Sequence, residues 1–402
     1  MPGIKGPDSR RLRARSRRAG KHMPAGKVHA RANPRLRLSG RIAASEPANR
    51  SRKVSGPPAT FREAPMQSIP FSEVYDFAHL YEAHRLASRG KRDRREVIDF
   101  ELDLGRNLAV LSGELRDGTY RLLPYMRFVV TDPKMRIVHA LRYRDRVVQH
   151  SLCDRVVGPV LEPRLIYDNA ACRVGKGTHF ALDRLERYLR EYRREYGTQG
   201  WFLKCDVHHF FASVNHAVLK DKLLRVPLDS PTRTLLHRII DSYEDSPGRG
   251  LPLGNQTSQW FALYFLDSLD RLVKERLGVR GYVRYMDDMV LIGQNRAALR
   301  MCLDVMGSHV HDIGLSFNGK TQIAPLVQGI DFLGWHLYLS DSGKVVRRLR
   351  AAAKRRIKRK VRAVETMPDP LRSQVLQSYE AYLQTGDAAG FCRMLGLQEA
   401  AD

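Results

Sequence analysis

The order of elements readable in this 402-residue chain predicts an α+β protein and not a doubly wound one. Three observations lead there: a helical N-terminal region, a strand pair that follows it directly, and a mixed run of helix, strand and helix to about residue 340 that ends in a basic helix. No internal repeat at solenoid periods is present.

Val74, Phe77, Leu80 and Tyr81, then Ile98, Leu102, Leu108, Leu111 and Leu115, recur at helical spacing. Two helices with a basic connection over residues 88–95 account for the pattern. Residues 125–130 and 137–141 read as paired strands, broken by the turn-forming Thr131-Asp132-Pro133-Lys134. At the far end, residues 347–362 form a strongly basic helix followed by a shorter helical tail.

Lys and Arg number 69 against 43 Asp and Glu, a net charge of +26 that acts at long range on any polyanion. Nucleic acid is the first partner this implies, with a merely basic surface protein as the bland alternative. About half of the excess lies in residues 1–65, where 17 Lys and Arg meet 3 acids and no apolar periodicity appears. That segment reads as a basic disordered extension. It is either a nucleic-acid-binding arm or an upstream extension from an earlier start, Met66 standing just before the first patterned segment. Five cysteines, Cys153, Cys172, Cys205, Cys302 and Cys392, lie singly with no zinc-ligand spacing, which fits a reducing cytoplasm. No apolar run is long enough to span a bilayer, so no membrane partner is expected.

Two acidic motifs carry the chemistry. Tyr285-Met286-Asp287-Asp288 lies between the short runs 281–284 and 289–292, a strand, tight turn and strand that present both carboxylates at the turn. Adjacent acids repel, so a cation is expected beside them. Trp201-Phe202-Leu203-Lys204-Cys205-Asp206 reads as an apolar strand ending in an acid, which is costly to bury unless paired or metal-bound. Nucleotide addition needs a 3′-oxygen made nucleophilic and a leaving pyrophosphate made stable, and two metal ions do both. Magnesium takes only one or two protein carboxylates per ion, so two or three aspartates on rigid strands suffice. A strand-end Asp followed some 80 residues later by a hairpin Asp-Asp suits a metal-dependent polymerase palm.

Over about residues 70–350 the chain resembles a bacterial retroelement reverse transcriptase. The run 206–211 resembles the first catalytic block, and 285–288 the Tyr-x-Asp-Asp box. The resemblance implies a right hand of fingers, ferredoxin-like palm and helical thumb. It divides the chain into the 1–65 extension, N-terminal helices and fingers over 66–200, palm over 201–335 and thumb over 336–402. It places Asp206, Val207, Asp287 and Asp288 at two Mg2+ ions, Asp288 the weaker or indirect ligand, and makes Phe211 the aromatic gate that excludes a 2′-hydroxyl.

The same resemblance assigns the supporting blocks. Arg136, with Lys134 as companion, grips the incoming triphosphate; Asp145, Arg146 and Gln149 match the block that follows. Arg173 and Lys176 flank glycines that let backbone approach the template. Lys320 is the general acid for the leaving pyrophosphate. Gly334 and Trp335 form the primer grip, and Arg355 and Lys358 lie on a thumb helix that tracks the hybrid duplex.

The run 250–259, Gly-Leu-Pro-Leu-Gly-Asn-Gln-Thr-Ser-Gln, departs from group II intron enzymes, which have Gln-Gly and Ser-Pro where this chain has Leu253-Gly254 and Ser258-Gln259. That form is similar to the enzymes of diversity-generating retroelements, which copy a template RNA with errors concentrated at adenines. Leu253 and Gln259 would then lie at the dNTP site, and Leu253 would loosen base selection. Some defence-associated bacterial reverse transcriptases share these blocks. The implied partners are template RNA, primer and cDNA, dNTPs and a small basic oligomeric accessory protein. No Cys or His cluster of an endonuclease, no RNase H acid set and too few residues for an intron-binding domain disfavour a maturase. A non-catalytic RNA-binding protein that kept the fold is the reading of a different class, and the intact acids argue against it.

Overall fold

The computed structural model describes residues 68–130, 135–340, 342–369 and 371–397. The segment 1–65, the turn 131–134 and with it Lys134 lie outside the described residues.

Asp76 accepts a hydrogen bond from the His79 backbone N–H at 3.0 Å and caps the helix Phe77–Ser88. After the basic connection the second helical stretch is two helices, Arg95–Glu101 and Leu104–Arg116. Leu80, Leu108, Leu111 and Leu115 are buried as their spacing predicts, while Phe77, Tyr81, Ile98 and Leu102 are exposed. A helix supported on one side buries only the stripe that faces its neighbours, here largely Tyr143–Leu152. Strands β1 (Met126–Val130) and β2 (Arg136–Ala140) pair antiparallel with Val130 opposite Arg136. The hairpin expected between residues 125 and 141 therefore forms, its strands one residue from the expected bounds.

The central sheet is built from β3 (Trp201–Asp206), β4 (Tyr282–Tyr285), β5 (Asp288–Gly293) and β6 (Gln322–Pro325), in the order β4-β5-β3-β6 with every pairing antiparallel. Helices fill the crossovers from β3 to β4 and from β5 to β6. That is the ferredoxin-like arrangement. Side chains alternate across it with period two. Leu203, Cys205, Met289 and Leu291 enter one hydrophobic core, whereas Phe202, Val290 and Ile292 enter a second. Lys204 and Asp206 thus share the face of Phe202.

A separate sheet joins β7 (Ile330–Phe332), β8 (Trp335–Leu339) and β9 (Val345–Leu349). A palm-to-thumb boundary at 335/336 would cut β8 after its first residue, so this sheet is one unit across the expected division. The helix Ala351–Val364 turns Ala353, Ile357, Val361 and Val364 inward and leaves Lys354, Arg355, Arg356, Lys358 and Arg362 exposed. Burying Ile357 and Val361 stabilises its seating by roughly 1.5–3 kcal/mol each. Among the described residues no helix is long and apolar enough to cross a membrane.

Candidate active site

Asp206 is the last residue of β3, and the antiparallel register sets it directly opposite Asp288, the first residue of β5. Tyr285 pairs with Asp288 across β4 and β5, so Met286 and Asp287 form a two-residue hairpin turn. Met286 adopts a left-handed φ of 54°, a conformation that costs an L residue about 1–2 kcal/mol. Burial pushes the Asp287 carboxyl up to about 7, and the Asp206 carboxylate against it adds to the rise. Asp288 is also raised, mainly by burial, with Lys204 opposing the shift. The Lys204 Nζ lies 3.4 Å from Asp288 Oδ1 and donates to the Asp331 carbonyl at 2.8 Å.

Asn318 holds the third corner. Its side-chain amide donates to Asp206 Oδ2, and its backbone N–H donates to the Asp206 carbonyl at 2.8 Å. The Lys320 N–H in turn donates to Asn318 Oδ1 at 2.7 Å. Lys204, Asp206, Asp288 and Lys320 line a cavity of about 400 Å³ together with Asp331 and Arg350. Sequence reading named the stretch around Asn318 only for its lysine. The polar Asn after apolar Phe317 is the signal that marks it.

These residues fit a divalent cation. Asp287 is held against Asp206 with burial opposing its charge, and a cation is the species that relieves such a pair. Among the described residues no three His, Cys, Asp or Glu side chains form a ready-made cage. Asp287 is turned to Asp206 and Asp288 is engaged by Lys204, which leaves Asp206 and Asp287 as the carboxylate pair a divalent cation would meet. Val207 is buried, and its backbone bridges Phe317.

Behind the turn sits Arg284, fully buried. Its Nε and Nη2 bind both oxygens of the equally buried Asp270 at 2.7 and 2.6 Å. Nη2 also donates to the Leu263 carbonyl at 3.0 Å, and Nη1 to the Met286 carbonyl at 2.8 Å. Tyr282 donates its hydroxyl to Asp270 at 2.7 Å. An Arg inside an otherwise apolar strand was the available clue to this group.

The remaining expected residues divide. Leu251 N–H donates to the Phe211 carbonyl at 2.8 Å and Gly250 N–H to Val214 at 2.9 Å, which joins the loop carrying Leu253 to the segment carrying Phe211. Phe211, Leu253 and Gln259 are all half-buried, and Phe211 packs on the main core. Arg136 opens β2. Gln149 is buried and accepts from Thr257 at 3.0 Å; Asp145 is buried and accepts from Tyr120 at 2.7 Å, so both hold the fold. Arg355 and Lys358 face outward.

Two expected nucleic-acid contacts have internal partners. Arg173 has a side chain only 6 % exposed, spent on Glu162 and on the carbonyls of Ile166 and Asn169 at 2.7 and 2.8 Å. It clamps its own loop and offers no free fork to phosphate. Trp335 is fully buried against Tyr382, with ring centroids 5.6 Å apart, and belongs to the second core. The turn beside it, Leu333-Gly334, has φ values of 47° and 90°, as a tight two-residue hairpin requires. A Cβ at Gly334 would lie 2.6 Å from the Tyr382 hydroxyl. Lys176 donates to the Tyr167 carbonyl at 2.6 Å and sits 4.6 Å from that residue's ring centroid. Burial brings its ammonium down to about 8.

A ferredoxin-like sheet that brings acids from β3 and from the β4–β5 turn together defines a polymerase palm. The chain belongs to the reverse transcriptase (RNA-dependent DNA polymerase) family, which matches residues 131–337, just over half of its length. Among solved structures it is similar to an apo telomerase from Candida tropicalis truncated from the C-terminal domain, at 13% identity over 58% of each chain, TM-score 0.43. It is also similar to telomerase from Candida albicans in complex with a TWJ fragment of telomeric RNA, at 13% identity over 66% of this chain and 53% of that one, TM-score 0.45. The chain thus spans little more than half the length of those relatives. No curated protein matches its sequence.

Proposed function

We propose that this chain is an RNA-directed DNA polymerase that adds dNTPs to a primer 3′ end on an RNA template. The strand register carries this reading, because it sets Asp206 opposite Asp288 beside the turn of Asp287 and so gathers three carboxylates at one end of the palm sheet. Asp206 and Asp287 would hold two magnesium ions, with Asp288 as the outer acid tempered by Lys204. The chemistry such ions supply when bound is activation of the 3′-oxygen and neutralisation of the departing pyrophosphate.

The chain's own side chains do the rest. Asn318 orients the Asp206 carboxylate by donating to one of its oxygens. Phe211, joined to the loop of Leu253, excludes a 2′-hydroxyl. Arg136 and Lys134 receive the triphosphate, and Lys320, exposed at the rim of the acid-lined cavity, returns a proton to pyrophosphate. The outward face of Ala351–Val364 follows the hybrid backbone without reading sequence. Purified protein should extend a primer on RNA with dNTPs and magnesium, and Asp287→Asn with Asp288→Asn should abolish extension. Equal activity in that double variant would remove the mechanism.

The form of the 250–259 run supports a diversity-generating retroelement as the biological setting, with a structured template RNA and a small basic oligomeric accessory protein as partners. An antiphage defence polymerase is the alternative reading of the same blocks. Five free cysteines fit a cytoplasmic site of action. Leu253→Gln is expected to lower misincorporation opposite template adenine, because a polar side chain there would restore a hydrogen-bonding check. Unchanged error spectra in that variant would reject the role of Leu253.

A further inference from the structure

A two-residue hairpin turn ordinarily places Gly, Asn or Asp where φ is positive. Here the position is taken by Met286, whose φ of 54° has no glycine to relieve it. Something outside the turn must hold it. The carbonyl of Met286 accepts from the guanidinium of Arg284, and that guanidinium is fixed at three further points: the two oxygens of Asp270 and the carbonyl of Leu263. The Arg284 backbone is fixed as well, its N–H donating to Asp168 at 3.1 Å and its carbonyl accepting from Ala170 at 2.9 Å.

We propose that Arg284, braced by Asp270, is the positioning residue of the catalytic turn: it sets the Met286 carbonyl and so the direction in which Asp287 presents its carboxylate to Asp206. Leu263 lies in the helix Gln256–Phe265, which follows the loop of Leu253 and carries Gln259, so the same guanidinium also fixes the turn relative to the helix at the proposed dNTP site. The inference rests on the reading that Asp206 and Asp287 hold divalent cations.

Stability alone does not call for this group. Buried ion pairs replaced by apolar side chains of similar volume commonly leave a fold as stable or more so. A planar fork that meets a carboxylate, a turn carbonyl and a helix carbonyl together is a geometric device, and a lysine has one point of charge to spend on the same task.

The test removes the whole polar group at once, as Tyr282→Phe, Asp270→Leu and Arg284→Met in one chain, so that no partner is left charged and buried. Thermal midpoint, Mn2+ binding by electron paramagnetic resonance and single-nucleotide primer extension are measured. The expected result is a folded protein that binds Mn2+ about tenfold more weakly and shows a kcat about 100-fold lower, the scale that a displacement near 1 Å produces, with KM for dNTP nearly unchanged. A folded triple variant with wild-type Mn2+ binding and kcat would overturn the proposal. If the triple variant does not fold, Arg284→Lys keeps the charge for Asp270 while losing the fork. The same two losses are then expected, and wild-type values would overturn it equally. A wild-type chain that binds Mn2+ but extends no primer would end the polymerase reading and leave this claim to the Mn2+ comparison; one that binds no Mn2+ would overturn this claim.

Discussion

Asp287 occupies a place that folding alone disfavours: a half-buried carboxylate against a second carboxylate, on a turn whose preceding residue is left-handed. Its carboxyl is raised to about 7, chiefly by burial and then by Asp206. An acid whose folded pKa exceeds its unfolded value keeps its full contribution to stability below the unfolded value, near 4, and loses it as pH rises through 7. Metal-free protein should therefore weaken between pH 5.5 and pH 8.5, and Asp287→Asn should remove much of that slope. Relative to wild type, the variant is expected to gain about 1–3 kcal/mol, several degrees of thermal midpoint, between pH 5.5 and pH 8.5. Melting curves in chelator at both pH values decide it, and a difference between the two proteins that does not change with pH would show that the pair is not repulsive.

At the scale of elements, the motifs legible in the chain were those whose chemistry is local. The Trp201–Asp206 strand and the hairpin around Asp287 and Asp288 follow from apolar runs ending in acids, and the sheet places them as the pattern requires. The basic helix was legible in part: the charge run marks 347–362, but Arg347 and Arg348 pair in β9 and the helix runs Ala351–Val364. What stayed hidden depends on partners distant in sequence. Arg173 reads as a phosphate ligand until its loop folds back on Glu162, and Trp335 reads as an exposed grip until the helix Leu371–Leu383 brings Tyr382 over it. Arg284 needs Asp270 and Leu263, neither adjacent to it, before its role exists. Asn318 lies 112 residues from the aspartate it orients. Period and composition report which way a side chain faces; they do not report what it meets there.

For the whole molecule the deciding quantity is the distribution of positive charge. Arg173 is spent internally and Lys176 is tied to Tyr167, so two of the residues expected at the template are engaged elsewhere. The outward side chains of Ala351–Val364 are the densest run of exposed cations among the described helices, with Lys354, Arg355, Arg356 and Lys358 exposed within little more than one turn. Each phosphate neutralised by such a cation releases a condensed counterion, and the dependence of log K on log salt steepens by about 0.7–0.9 per contact. Replacing Arg355 and Lys358 with Gln should thus flatten the salt slope for an RNA–DNA hybrid by roughly 1.4 to 1.8 while leaving the preference among template sequences unchanged, because backbone contacts carry no base information. Filter binding from 50 to 300 mM salt (about the range over which such slopes are resolved) measures it. An unchanged slope would mean that this helix face does not meet the duplex, and an altered sequence preference would mean that it reads bases.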